Sequence, residues 1–440
     1  MKKLISLGLI LCLLLSCTLI MPASTAAAAG AEGKQTVTTV NASPLINELM
    51  EEYTTFVVVK QKQLGGSHYA YTEALSDELN NPGFPDGGEA VFHPGSQLVL
   101  LELAKSGDKI TRTETVLLDS TDGVIRDPDV SADGTTVLFS WKKSRNDDYH
   151  LYEYDLKTKQ TTQLTFGSGI ADTEPKYLAN GQIVFSSTRI IQTVDCWITP
   201  VSNIFLCDAD GGNITRLGYD QVHTTYPTVT SDGRVLYTRW DYNDRNQMYI
   251  QGVFQMFPDG TNQTELYGND SNFPTTLLHT REIPGTTDKY ISIASGHHVL
   301  QAGKLVVLDT SVGRNNKDSV EFVVKDGSSS KNDSIDGYGQ SGALYKYPYA
   351  INEDLFMCAY TSSGWASNKY NTAFSIYLFD MNGNKAELVP GTESLPASQI
   401  VPVATRTLFE RASLIDYAKD TGNYYIGNIY EGDGLKGVEV

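Results

Sequence analysis

The sequence predicts an all-β fold: a six-bladed β-propeller of four-stranded antiparallel blades, its ring closed by a C-terminal strand that completes the first blade. Three observations lead there. Four stretches share one opening: Pro128-Asp129-Val130-Ser131-Ala132-Asp133-Gly134, Glu174-Pro175-Lys176 before Asn180-Gly181, Tyr226-Pro227 before Ser231-Asp232-Gly233, and Tyr347-Pro348 before Asn352-Glu353. Each precedes an apolar run with a small polar end (Val137 to Ser140, Ile183 to Ser186, Val235 to Thr238, Leu355 to Cys358). The period is about fifty residues, with no helical pattern between the runs. Last, a sixth unit is split across the two ends of the chain.

Taken in order, Thr55 to Lys60 reads as a second strand, Gln97 to Leu103 as a third and Thr113 to Leu118 as a fourth, with no first strand ahead of them. Gln399 to Val403 is the candidate for the missing strand; placing it there removes two open sheet edges. Third strands follow at Leu151 to Leu156, Asn203 to Asp208, Val253 to Phe257, Lys304 to Asp309 and Ser375 to Asp380. Behind several stand Asp-Gly or Asn-Gly pairs (Asp210-Gly211, Asp259-Gly260, Asn382-Gly383), which supply the positive φ that tight hairpins need. The fifth unit, whose second strand is Tyr290 to Ala294, opens on His279-Thr280-Arg281 where the others carry a proline. The expected organisation is a signal peptide over 1–29, a lead-in over 30–54, the propeller over 55–405 and an extension over 406–440.

Acidic residues outnumber basic ones by 52 to 34, a net charge of -18. Phosphate backbones and anionic membranes need clustered Lys and Arg, so nucleic acid is excluded as the expected partner. Lys2 and Lys3 precede an apolar run from Leu4 to Ile20, and Ala26 to Ala29 form a small-residue cleavage region. This pattern predicts export. The rival is a lipoprotein box at Leu14-Leu15-Ser16-Cys17, in which Leu15 is bulkier than that position favours. No later stretch is long and apolar enough to span a bilayer.

Beyond the signal stand Cys196, Cys207 and Cys358. The first two flank the turn between strands two and three of the third unit and are candidates for a disulfide in an exported chain; two unpaired thiols are the alternative. Cys358 reads as a small core residue. There is no Gly-x-Ser-x-Gly elbow, no His-Glu-x-x-His, no Cys-x-x-Cys pair and no Cys-x-x-Cys-His for covalent haem.

The histidines are the remaining signal. His223 and His279 stand at or before first strands, while His297 and His298 follow a second strand, as do Arg239-Trp240-Asp241. In a propeller those loops emerge on one face, at the mouth of the channel that the first strands line. His223, Arg239, Asp241, His279, Arg281, His297 and His298, with His68 nearby, are therefore the candidate ligand rim. His223, His297 and His298 are candidate ligands for a divalent metal. Solvated loop side chains are the alternative, and on either reading replacing His223 and His298 is expected to leave stability nearly unchanged.

The repeats resemble TolB-type propeller repeats. Longer polar strings resemble the propeller domain of hydrazine synthase alpha subunits: Asp195-Cys196-Trp197, Gln221-Val222-His223-Thr224-Thr225-Tyr226-Pro227, Thr238-Arg239-Trp240-Asp241-Tyr242-Asn243-Asp244, Ser295-Gly296-His297-His298 and Asp336-Gly337-Tyr338-Gly339-Gln340. The resemblance runs from Ser67-His68-Tyr69 to Gly434-Leu435-Lys436-Gly437 and implies the fold. In that family redox chemistry belongs to covalently held haems, for which this chain has no attachment motif. Three functional classes stay open: an exported module binding a small molecule, glycan or protein; a metal-dependent lyase or hydrolase with a His-lined site; and a subunit docking to a separate haem protein.

Overall fold

A computed structural model describes residues 33–62 and 92–428, apart from 196–198, 243–249, 272, 298, 300, 326, 328–329, 332–337, 364–371, 417 and 424–427. In chain order it contains β1 (Gln35–Asn41), helix α1 (Pro44–Glu52), β2 (Thr55–Gln61), β3 (Ser96–Ser106) and β4 (Lys109–Ser120). The second repeat supplies β5 (Val124–Val130), β6 (Thr136–Lys142), β7 (His150–Asp155) and β8 (Thr161–Gln163). The third supplies β9 (Asp172–Tyr177), β10 (Ile183–Ser187), β11 (Asn203–Cys207) and β12 (Thr215–Arg216), and the fourth β13 (Thr224–Val229), β14 (Val235–Trp240), β15 (Gln251–Met256) and β16 (Thr264–Tyr267). Then come β17 (Thr276–Glu282), β18 (Lys289–Ser295), β19 (Lys304–Asp309), β20 (Val320–Phe322), β21 (Leu344–Ala350), β22 (Leu355–Thr361), β23 (Ser375–Asp380), β24 (Lys385–Val389) and β25 (Ala397–Pro402).

These strands form antiparallel sheets in a β-propeller arrangement, but not six separate four-stranded ones. The first sheet has five strands, β1-β4-β3-β2-β25, because the lead-in contributes β1 along the outer edge of β4. Its other edge is β25, paired with β2 from Phe56↔Pro402 to Lys60↔Ala397. The fourth and fifth repeats run together as one sheet of eight strands, joined by a single parallel pair, Gln251↔Thr276.

That join is one instance of a recurring stitch, in which backbone at the entry to a third strand bonds backbone at the entry to the next first strand. Gly95 N–H donates to Gly123 O (3.0 Å), Asp172 N–H to Tyr149 O (2.9 Å), Thr224 N–H to Ser202 O (2.9 Å) and Gln251 N–H to Thr275 O (2.9 Å). Gly303 and Tyr345 exchange two such bonds, and Ala397 N–H donates to Phe374 O (2.9 Å). Buried backbone groups at the repeat junctions are satisfied in this way.

Helix α1 starts at Ser43, whose hydroxyl accepts the Ile46 N–H (3.2 Å), and Pro44 occupies the first turn, where its missing donor costs nothing. Its apolar face, Leu45, Ile46 and Leu49, is buried with Phe56 of the first sheet and with Met357, Ile376 and Leu388 of the last repeat. The segment after β25 crosses the turns that link first and second strands. Glycine is required at one of them: at Gly233 (φ +79°) a Cβ would stand 2.5 Å from Phe409 O. Arg411 donates to Asp232 O (2.9 Å) and Leu414 N–H to Asp259 Oδ2 (2.7 Å) along the same path. No helix among the described residues is long and apolar enough to cross a membrane.

Candidate functional site in the central channel

Each first strand from β5 to β21 is interrupted by a bulge, and each bulge holds one residue in the left-handed region: Asp127 (φ 59°), Glu174 (59°), Tyr226 (58°), His279 (54°) and Tyr347 (49°). Such a backbone is costly for a residue with a side chain, and a bulge re-aims the side chain it carries. Four of these residues precede the recurring prolines 128, 175, 227 and 348. They line one cavity of about 40 Å³, together with Gln399 of β25.

Neighbouring bulges are tied hand to tail. The Asp127 N–H donates to Gln399 Oε1 (2.7 Å), the Glu174 N–H to Asp127 Oδ2 (3.1 Å) and the Tyr226 N–H to Glu174 Oε2 (2.7 Å). The chain of contacts then turns aromatic. The His279 ring sits 4.2 Å from that of Tyr226 and 4.5 Å from that of Tyr347, and the Tyr226 hydroxyl accepts from Gln301 Nε2 (2.5 Å).

Two residues beyond the bulge, the third and fifth repeats place Lys176 and Arg281 in the same cavity. Burial pulls the Lys176 ammonium down to about 8, and Arg281 nearby pulls the same way. Burial, then the charge of Asp127, raises the Glu174 carboxyl to about 7 against the opposing pull of Arg126. His279 is held well below its ordinary value, first by burial and then by Lys346 and Arg126, so it is neutral at pH 7. Asp129 is lowered despite its burial because Arg406 and Lys176 face it. A carboxyl and an amine that both titrate near neutrality, two residues apart on one strand, are the groups that proton transfer requires.

The residues expected at the rim separate into three places. His279 and Arg281 lie within β17 and face the channel interior. His223 and His297 are 1% exposed and pack on Trp240, with ring centroids 5.9 and 5.6 Å away. His223 Nδ1 accepts the Ser202 N–H (3.1 Å), and His297 Nδ1 is 3.1 Å from Gln251 Nε2. Burial takes His223 down to about 3. A solvated His223 whose replacement leaves stability unchanged is therefore not what the fold holds: its imidazole is a hydrogen-bonded part of the interior. Arg239 and Asp241 form the third place, with Arg239 Nε 3.1 Å from Asp220 and 3.4 Å from Asp241, over the Phe254 ring.

His68, His298 and Cys196 lie outside the described residues. Cys207 is a free buried thiol raised to about 12, chiefly by burial, and Cys358 is buried in β22 as a core residue. Among the described residues no three His, Cys, Asp or Glu side chains are grouped to hold a metal ion. Asp127, Glu174, Lys176, Tyr226, Tyr347 and Gln399 escaped the sequence reading as site residues. For all but Gln399 the signal was the position beside the repeated proline, which served there only to mark the repeats.

No protein-family model and no curated protein matches the chain. Among solved structures, hydrazine synthase from Kuenenia stuttgartiensis is similar with a TM-score of 0.59 at 16% identity, over 82% of this chain and 48% of that one, so this chain spans about half of that protein's length. TolB from Acinetobacter baumannii has a TM-score of 0.42 at 12% identity, over 80% and 70% of the two chains. Oligogalacturonate lyase from Vibrio parahaemolyticus has 0.41 at 13%, over 82% and 87%. At 16% identity the likeness to hydrazine synthase speaks for the fold alone.

Proposed function

We propose that this chain is an exported six-bladed propeller that acts as a small-ligand binding module, with the ligand held in the channel by side chains that the bulges aim inward. The eight-stranded sheet counts as two blades in this reading, because Gln251 and Thr275 make the same stitch as every other junction. β25 then closes the ring, and α1 covers the seam between the first and last blades. Export rests on the N-terminal pattern, and sequencing of the secreted protein should begin after residue 29.

One observation carries the binding reading. A ring that served only closure would be satisfied by the same residue in each bulge, yet this one holds Asp127, Glu174, Tyr226, His279 and Tyr347. Distinct acid, base and aromatic groups converging on one cavity are the signature of a ligand site. A panel of small polar molecules tested by thermal shift should contain a class that stabilises the wild-type chain and not His279→Asn. Stabilisation that is equal in both proteins for every class that binds would remove the channel from the account. A second, catalytic reading is favoured by Glu174 near 7 and Lys176 near 8 in one cavity. It requires turnover of the bound class that Glu174→Gln abolishes without weakening binding.

A further inference from the structure

We propose that the channel ligand is anionic: a small oxyanion, either a carboxylate or a tetrahedral oxyanion group, held between Lys176 and Arg281. This rests on the channel being the binding site and names the chemistry it takes. The neighbouring carboxylates are already committed to other donors. Asp127 receives Arg126 Nε (2.6 Å), Gln399 Nε2 (3.0 Å) and the Glu174 N–H. Glu174 receives Ser186 Oγ (2.7 Å) and the Tyr226 N–H, with Arg126 at 3.5 Å. Asp129 receives Arg406 (2.8 Å) and the Tyr177 N–H (3.0 Å).

Arg126 and Arg406 thus have their counter-ions. Lys176 and Arg281 do not: among the described residues neither has a carboxylate within ion-pair distance. Lys176 Nζ donates to Pro175 O (2.8 Å), and the Arg281 guanidinium lies over the Tyr349 ring at 5.1 Å, donating no hydrogen bond. A guanidinium carries five donors and an ammonium three; Lys176 is buried and Arg281 partly exposed at the cavity, and among the described residues only Pro175 O takes a hydrogen bond from either. Two such cations lining one cavity leave a surplus of positive charge and a set of unused donors. An oxyanion answers both, and Arg is suited to bind it through two parallel hydrogen bonds.

The space agrees. A cavity of about 40 Å³ has room for roughly three water-sized groups, by the measure of about 10–15 Å³ each. That suits a carboxylate or a tetrahedral oxyanion.

The test uses the mature chain, titrated calorimetrically with acetate, phosphate and sulfate at constant ionic strength set by chloride. At least one oxyanion should bind saturably and raise the melting temperature. Arg281→Gln should weaken it about tenfold or more, as expected for a lost charged hydrogen bond. Arg281→Lys keeps the charge and should retain part of the affinity, so a misfolded glutamine variant does not end the test. Affinity should fall between about pH 7 and 9 as Lys176, facing Asp127, Asp129, Glu174 and Arg281, loses its proton and Glu174 loses its own. If no oxyanion binds, or if Mn²⁺ or a neutral polyol binds instead and is lost in Glu174→Gln, the anion assignment is wrong and the channel reading stands or falls on that second result. Oxyanion binding unchanged in both Arg281 variants and in Lys176→Met overturns the anion site and the channel reading together.

Discussion

His223 and His297 beside Trp240 are buried, whereas Lys176 and the partly exposed Arg281 line the channel cavity, and the two pairs are partnered differently. The two imidazoles are packed against an indole and joined through Nδ1 to Ser202 and Gln251. The two cations keep their charge at neutral pH and, among the described residues, meet no carboxylate at ion-pair distance, although Asp129 acts on both from farther away. A residue type that signals chemistry is therefore a weaker guide than the balance of donors and acceptors around it. Of the three described imidazoles singled out from the sequence, two pack on Trp240 and only His279 lines the cavity, beside Lys176 and Arg281.

If the pairing of β25 with β2 closes the ring, as proposed, the largest expected effect comes from breaking it. Deleting everything after Pro390 removes β25, leaves the edge of β2 open and exposes Phe56 and Val58; the product should aggregate or fail to fold. A soluble truncated monomer with an unchanged melting temperature would mean that the C-terminal strand closes nothing.

The next effect separates the two regions directly. Trp240→Ala should cost about 3–5 kcal/mol by leaving a cavity between His223, His297 and Tyr242. Oxyanion affinity in the fraction that remains folded should be unaltered. If affinity falls with stability held, the indole cluster belongs to the site after all.

Smaller still is the pH dependence of folding that Glu174 contributes. Its folded value near 7 lies above the ordinary 4.5, so the folded state binds the extra proton. Its contribution is fully present below about pH 4.5 and is lost as pH rises through 7. Glu174→Gln should flatten that decline in an acid-to-neutral series of chemical denaturation curves, and an unchanged slope would show that this carboxyl ionises normally.

The smallest effect is expected from Arg281→Gln. Its unfolding free energy in oxyanion-free buffer should stay within about 0.5 kcal/mol of wild type, or rise, because the guanidinium has no ion pair to lose. A severe loss would assign Arg281 a structural duty.

Much of the fold was legible because strands announce themselves through apolar runs and turns through Asp-Gly. The strand expected at Gln399 to Val403 lies at Ala397–Pro402, and Lys304 to Asp309 is β19 residue for residue. The strand β1 and helix α1 were not read from the lead-in, since Gln35 to Asn41 is polar and gains its place only by pairing with β4. The site was harder. His279 and Arg281 were singled out, but as loop residues, because a bulge that turns a first strand's side chains inward leaves no trace in hydrophobic periodicity. Asp127, Glu174 and Tyr347 look like turn chemistry beside proline until the strand containing them is seen to face the channel.

The most direct measurement is crystallographic: a selenate soak of the mature protein, with diffraction recorded at the selenium edge. The account predicts one anomalous peak in the channel, within hydrogen-bond reach of both Lys176 Nζ and the Arg281 guanidinium. A channel empty of selenium, with the peak instead beside Trp240 or at Arg239, would contradict it.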